Sequence, residues 1–143
     1  MRGRENTLSA PFIAGAALTL NRMVKITTGG EVIHPAAIDE QTIGVTLDSA
    51  TAAEATANKV VQVQVLGVAK IEASAAIAAG VLVAVSGSDG RIATATPANT
   101  TTATAFHFAV GIALEAAGGA AEVISVLLAS PVAPYVNTTD ATI

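Results

Sequence analysis

The sequence predicts an all-β protein with at most one or two short helices. The expected form is a small β-barrel or tulip-like sandwich of two similar halves, with an extended N-terminal arm and a C-terminal tail. Three observations lead there. From Val60 to Ala73 the chain alternates, with Val61, Val63, Val65, Ala69, Ile71 and Ala73 on one parity and Gln62, Gln64, Lys70 and Glu72 on the other. That is the period-two signature of a half-buried strand. Short apolar runs broken by Gly-Gly or Asp-Gly recur, as hairpins require. Finally, hairpin, Val-Gly-Ile-type strand and Val-rich strand appear twice in the same order: Val24–Ile33 echoes Val83–Ile92, Ile43–Leu47 echoes Val110–Leu114, and Val61–Leu66 echoes Val123–Leu128. A period of about 60 residues is too long for a solenoid and fits two β-rich halves.

In chain order, residues 1–12 read as an arm: charged and polar residues without periodicity before Pro11. One domain then spans residues 13–129, and 130–143, with Pro131 and Pro134, form the tail. Within the domain, Met23–Ile26 and Glu31–Ile33 flank the Gly29-Gly30 turn. Gln41–Leu47 is the next strand, with Ile43, Val45 and Leu47 on one face. Asp48–Asn58 is rich in Ala and Thr; Ala50–Ala57 has the propensity for two helical turns capped by Asp48 or Ser49, and a loop is the alternative. In the alternating stretch Gly67 is expected to bend the strand without a bulge, because a bulge would flip the phase and bury Lys70 and Glu72. Ser74–Ala79 ends at Gly80 in a helix cap or turn. Val81–Val85 and Arg91–Ala95 flank the turn at Asp89-Gly90, Phe106–Leu114 is a strand, and Ala121–Ala129 is the last.

Composition bounds the function. The 143 residues suffice for one domain, and 52% are hydrophobic, but alanine inflates that figure and only Phe12, Phe106, Phe108 and Tyr135 are aromatic. Small side chains bury little area at about 25 cal/mol per Å², so self-association is expected to contribute stability. Leu66 and Val68 are apolar on the polar parity of the central stretch and mark a subunit interface, to which His107, opposite Phe106 and Phe108, and Tyr135 are assigned as well. With no cysteine there is neither disulfide nor thiol chemistry. No secretory signal is evident, which points to synthesis in a cytoplasm and makes the Asn-x-Thr sequences at Asn99 and Asn137 incidental. The uncharged run Ile92–Leu114 is too rich in Thr, Asn and Pro to cross a membrane as a helix. Net charge is −4. Up to Lys25, Arg2, Arg4, Arg22 and Lys25 stand against Glu5, and beyond it Lys59, Lys70 and Arg91 stand against ten acids. An acidic body disfavours nucleic acid, whereas a basic arm suits an acidic protein surface.

Catalytic constellations do not emerge. His34 and His107 have no ligand-like spacing to each other or to acidic clusters. No serine lies in a nucleophile elbow. The Ser86–Gly90 turn lacks a surrounding phosphate-binding pattern, and a carboxylate pair for sugar hydrolysis would have few aromatic platforms beside it. No enzyme activity, metal or cofactor is expected.

The runs Ile43-Gly44-Val45-Thr46-Leu47, Val63-Gln64-Val65-Leu66-Gly67-Val68-Ala69-Lys70-Ile71, Ala78-Ala79-Gly80-Val81-Leu82-Val83 and Val110-Gly111-Ile112-Ala113-Leu114-Glu115 resemble the head-decoration, or capsid cement, proteins of tailed bacteriophages. The resemblance covers roughly residues 14–129. It implies a β-rich barrel or tulip-like fold, a homotrimer, a place on the outer face of the virion capsid, the major capsid protein as partner, and no catalytic residues. On that reading Arg2, Arg4, Asn6, Thr7, Leu8 and Phe12 form a capsid-binding arm. The alternative is a β-barrel accessory of a tail or surface fibre that binds host glycan.

Overall fold

The computed structural model describes residues 7–38, 40–87, 89–95 and 108–128. The alternating stretch is two strands rather than one. Residues Val60–Leu66 form β5 of a first sheet and Val68–Glu72 form β6 of a second, and Gly67 between them has φ of 95°, a conformation that glycine adopts without a Cβ penalty. The odd residues Val61, Val63, Ala69, Ile71 and Ala73 are buried on both sides of the bend. The register of β5 against β1 nevertheless slips between Leu8–Leu66 and Ser9–Gln64, so the expectation of a bulge-free bend fails at Val65, two residues before Gly67. Gln64 of the polar parity is buried as well.

Numbered with those two, the remaining strands are β1 (Leu8–Ile13), β2 (Met23–Ile26), β3 (Val32–Ile33), β4 (Gly44–Thr46), β7 (Leu82–Val85), β8 (Ile92–Thr94), β9 (Ala109–Ala113) and β10 (Val123–Leu128), with a single short helix, α1 (Ala52–Thr56), among the described residues. The first sheet has order β1-β5-β4-β2-β3 and the second β6-β10-β9-β7-β8, with antiparallel pairing throughout the named strands. Adding five to each strand of the first order yields the second. The expected two similar halves are therefore a structural repeat. Each sheet curls until its edge strands meet at one parallel bridge, Ala14 with Val32 and Ala73 with Ile92. Neither closes into a barrel.

The repeat extends to single residues. The bridge Leu18–Ala50 has its counterpart in Ile77–Ala117. Positive φ occurs at Asn21 and Gly80, at Gly30 and Gly90, and at Asn58 and Ala121. The Gln62 N–H donates to the Asp48 carboxylate at 2.8 Å, as the Ser125 N–H does to Glu115 at 2.8 Å. These pairs set the true register of the last echo: Val61 corresponds to Ile124 and Val63 to Val126. Matching Val61 to Val123 is one residue out, and a slip of one exchanges core for surface. Val61 is fully buried and Val123 is 44% exposed.

Each half has its own core. Leu18, Val24, Val32, Val61 and Val63 pack with Ala14, Ala50 and Ala55 in the first. In the second, Ile71, Val83, Ile92, Ile124 and Val126 pack with Ala69, Ala73 and Ala113, and Met23 and Val45 of the first sheet join them. The first sheet is thus covered on both faces, which explains why Thr42, Gly44 and Thr46 are buried along with Val45 where the sequence suggests one apolar face ending at an inward Leu47. Leu47 is exposed.

Two further differences have local causes. The helix is shorter than Ala50–Ala57 and its N-cap is Thr51, whose hydroxyl accepts from the Glu54 N–H while the Glu54 carboxylate accepts from the Thr51 N–H. This reciprocal capping box outcompetes Asp48, whose carboxylate is engaged by Gln62. Residues 8–12, read as part of the arm, lie in β1, paired with β5 from Leu8–Leu66 to Ile13–Val60. The strand has Pro11 at its centre, which an edge strand tolerates.

Close strand approach supplies a stability test. A Cβ at Gly44 would lie 2.2 Å from the Gln64 carbonyl oxygen, and one at Gly111 2.1 Å from that of Leu127, whereas one at Gly87 meets nothing within 4 Å. Gly44→Ala and Gly111→Ala should each cost at least about 1–3 kcal/mol through strand displacement, and Gly87→Ala should cost little. Thermal melts of the three variants check this ordering; unchanged stability in Gly44→Ala would contradict the register of β4 against β5.

Candidate interaction surface

Among the described residues no group of three or more His, Cys, Asp and Glu side chains could hold a metal. No helix among them is long and apolar enough to cross a membrane. What the structure builds instead is a polar junction between the halves and an apolar row on the outer face of the second sheet.

The junction forms where Arg22 and Met23, entering β2, meet β6 and the β7–β8 turn. Arg22 forms a forked pair with Glu72, Nε to Oε2 and Nη2 to Oε1, both at 3.1 Å; such bidentate geometry fixes orientation as well as charge. Asp89 lies 4.0 Å from Arg22 and 2.7 Å from Arg91. Burial raises the affinity of Asp89 for its proton, but the Arg91 backbone N–H, the Arg91 guanidinium and Arg22 outweigh it and hold the carboxyl below its ordinary value. Backbone bonds reinforce the seam: the Met23 N–H donates to the Gly90 carbonyl at 2.8 Å and the Glu72 N–H to that of Asn21 at 2.9 Å. Gly90 is required, since a Cβ there would sit 2.4 Å from the Met23 oxygen and 2.8 Å from His34 Nδ1.

His34 sits against this seam. The Thr19 N–H donates to its Nε2 at 2.9 Å, which leaves the ring proton on Nδ1 to donate to the Met23 carbonyl at 2.8 Å. Both nitrogens of a neutral ring are used, and protonating Nε2 destroys its acceptor role. Burial, with Arg22 nearby, lowers the pKa from 6.5 against the opposing effects of the Met23 carbonyl and Asp89. Deeper between the halves, a cavity of about 10 Å³ is lined by Met23, Thr42, Ile43, Gly44, Val65, Val110 and Leu128. The buried Thr42 hydroxyl has no protein partner, and such a space suits one water.

The apolar row follows from register. Leu82 lies opposite Ile112, Ile112 opposite Leu127, and Leu127 opposite Val68; directly opposed residues share a face. Leu82, Ile112 and Leu127 are 36%, 39% and 44% exposed, and Val68 is half-buried. Along the same face Lys70 pairs with Glu115 at 3.2 Å. Bonds from the Ser125 N–H and Lys70 keep the Glu115 carboxyl below its usual value.

Of the residues singled out from sequence, Val68 lies in this row. Leu66, 51% exposed, lies just across Gly67 and pairs with Leu8, 56% exposed. Phe12 is half-buried against the first core and Thr7 is exposed. Arg2, Arg4, Asn6, His107, Tyr135 and the tail lie outside the described residues. The sequence reading missed Leu82, Ile112 and Leu127 because each sits in a nearly continuous apolar run where parity is invisible. It also missed the Arg22–Glu72 pair, whose members are far apart in the chain.

Comparison with known proteins finds no matching family model and no matching curated protein. Among solved structures, the fold is similar to the crystal structure of the head fiber gp8.5 N base of bacteriophage phi29, with 17% identity and a TM-score of 0.62 over 86% of this chain and 94% of that one.

The His34 geometry predicts a pH dependence. A histidine whose folded pKa lies below its unfolded 6.5 contributes stability that is whole above that value and is lost as pH falls through it toward the folded pKa. The melting temperature should drop between about pH 7.5 and 5.5, a window above that of the carboxylates. In His34→Asn, whose amide can still donate to Met23, that drop should be largely absent. An equal drop in the variant would assign the dependence elsewhere.

Proposed function

We propose that this chain is a structural protein of a tailed-phage head: a decoration or cement protein that binds the outer surface of the shell and stabilises contacts between major capsid subunits. It acts as a homotrimer and has no catalytic activity. The observation that carries this reading is the similarity of the tandem five-stranded fold to the base of a phage head fiber over nearly all of both chains. The motifs that resemble decoration proteins support it, as does a surface whose distinguishing feature is apolar.

In this reading the basic segment containing Arg2, Arg4 and Asn6 contributes to capsid attachment. In sequence it precedes β1, an edge strand of the first sheet. Extended segments of this kind add main-chain hydrogen bonds to a partner's sheet edge. A glycan-binding fibre accessory is the second reading. Its motivation is an open groove of about 430 Å³ beside α1, lined by Gly15, Ala16, Ala17, Glu31, Ala52, Ala55, Thr56 and Asn58. That groove has no aromatic wall on which a sugar ring could stack.

Purified protein added to undecorated heads should bind at a fixed stoichiometry and raise their resistance to heat. Removing residues 1–7 should leave the fold intact, weaken binding and flatten its dependence on salt. Heads that take up no protein, together with selective binding on a glycan array, would replace the cement reading with the second.

A further inference from the structure

The two halves of the repeat use the same face differently. In the first sheet the row Met23–Val45–Gln64 is set by the same pairing as Leu82–Ile112–Leu127 in the second. The register of the repeat makes these counterparts one by one. In the first sheet the row is closed: Met23 is 2%, Val45 0% and Gln64 6% exposed, and Met23 and Val45 are packed into the core of the second half. In the second sheet the row is apolar and open.

The elements that cover the first row also have counterparts. Glu72 on β6 and the Asp89-Gly90 turn close over Arg22 and Met23. Through the bridges Ala73–Ile92 and Ala14–Val32, Glu72 corresponds to Ile13 and Gly90 to Gly30. Those counterparts are uncovered: Ile13 is 41% exposed, and nothing lies within 4 Å of a Cβ built on Gly30, where Gly90 is pressed against Met23. The chemistry at the two ends matches. The counterpart of Arg22 is Val81, half-buried against the second core, and that of Glu72 is the exposed Ile13, so the positions of the ion pair inside the chain are apolar in their counterparts. An open face in the second half and an open cover in the first thus belong to one molecule.

We infer that the Leu82–Ile112–Leu127–Val68 row is the docking surface for the first half of a second copy of this chain, whose Ile13 and Gly29-Gly30 turn cover it as Glu72 and Asp89-Gly90 cover Met23 within the chain. The contact is heterologous, joining two different surfaces, and propagates head to tail until it closes. It rests on the repeat and holds whatever the assembly attaches to.

Mixing decides it. Light scattering and sedimentation should find the wild type in a multi-chain species. Leu127→Glu and Ile13→Glu, each losing one surface, should be single chains alone. Mixed in equal amounts they should form a two-chain species, since one intact row remains in Ile13→Glu and one intact cover in Leu127→Glu. The double variant should pair with neither itself nor wild-type-sized assemblies. Cooperative thermal unfolding of each variant checks folding, and Leu127→Thr and Ile13→Thr, which retain strand propensity, should weaken association at least about tenfold where the charged variants do not fold. If Ile13→Glu keeps the wild-type mass while Leu127→Glu does not, the row packs against itself and the inference is wrong. A wild type that stays a single chain at its highest soluble concentration also overturns it.

Discussion

Two consecutive strands, β5 and β6, carry one alternating stretch from the first sheet into the second, and that crossing constrains everything else. At Gly67 the chain leaves β5 and enters β6 without losing parity, so a single alternation supplies inward residues to both cores. The crossing is held by Gln64. Its side chain is nearly buried, and its Nε2 donates to the carbonyls of Val68 at 2.8 Å and Leu66 at 3.1 Å, on either side of the glycine. The Leu128 N–H donates to the Gly67 carbonyl at 2.9 Å, tying the last strand of the second sheet to the same point. A buried amide is tolerated there because its donor has partners. Its counterpart in the repeat, Leu127, is apolar.

This arrangement makes a core of small side chains workable. The largest fully buried residues are Ile71 and Ile92, followed by valines, and at about 25 cal/mol per Å² each contributes less than a leucine or phenylalanine would. Two features recover area. Gly44 and Gly111 let strands approach so closely that a Cβ on either would strike a carbonyl oxygen of the adjacent strand. The first sheet buries both faces, one on its own half and one on the other. The Arg22–Glu72 fork then sits at the rim of that contact with side chains 20% and 15% exposed. It serves orientation more than stability, because burying the pair carries a desolvation cost.

Much of the fold was legible because the deciding signals are local. Period-two alternation located Val60–Ala73, and the Gly-Gly and Asp-Gly turns located the hairpins. The repeat was visible in Gly44 and Gly111, each set between apolar residues. What the sequence hid depends on contacts distant along the chain. The register of Val123–Leu128 was out by one because a run of apolar residues matches either way, and the contacts that decide it, such as the Ser125–Glu115 bond and the pairing of Leu127 with Ile112, join residues distant in the chain. The N-cap at Thr51 was missed because the helix was expected to start earlier, with Asp48 or Ser49 as its cap, and the bond that commits Asp48 to the Gln62 N–H joins residues distant in the chain. Residues 8–12 do alternate in burial, with Ala10 and Phe12 turned inward, but the exposed positions of β1 include the apolar Leu8 and Ile13 and the strand-breaking Pro11, which mask the alternation in sequence.

The candidate surface was legible only in part, and the reason lies in how the two halves diverge. Positions that face a half's own core keep their character: Ala14 and Ala73, Leu18 and Ile77, Val24 and Val83, Val63 and Val126. Each half must solve the same packing problem with the same strand order. The changes fall where surroundings differ. Arg22, Glu72 and Gln64 serve the junction and the crossing, while their counterparts Val81, Ile13 and Leu127 stand outside it. Exposure alone favours polar residues on the solvated face of an antiparallel sheet, as Lys70 shows two residues along from Val68. The exposed row retains Leu82, Ile112 and Leu127 instead. Val68 was singled out from sequence because polar neighbours frame it; its companions needed the pairing of β6 with β10, β10 with β9 and β9 with β7 before they became one surface.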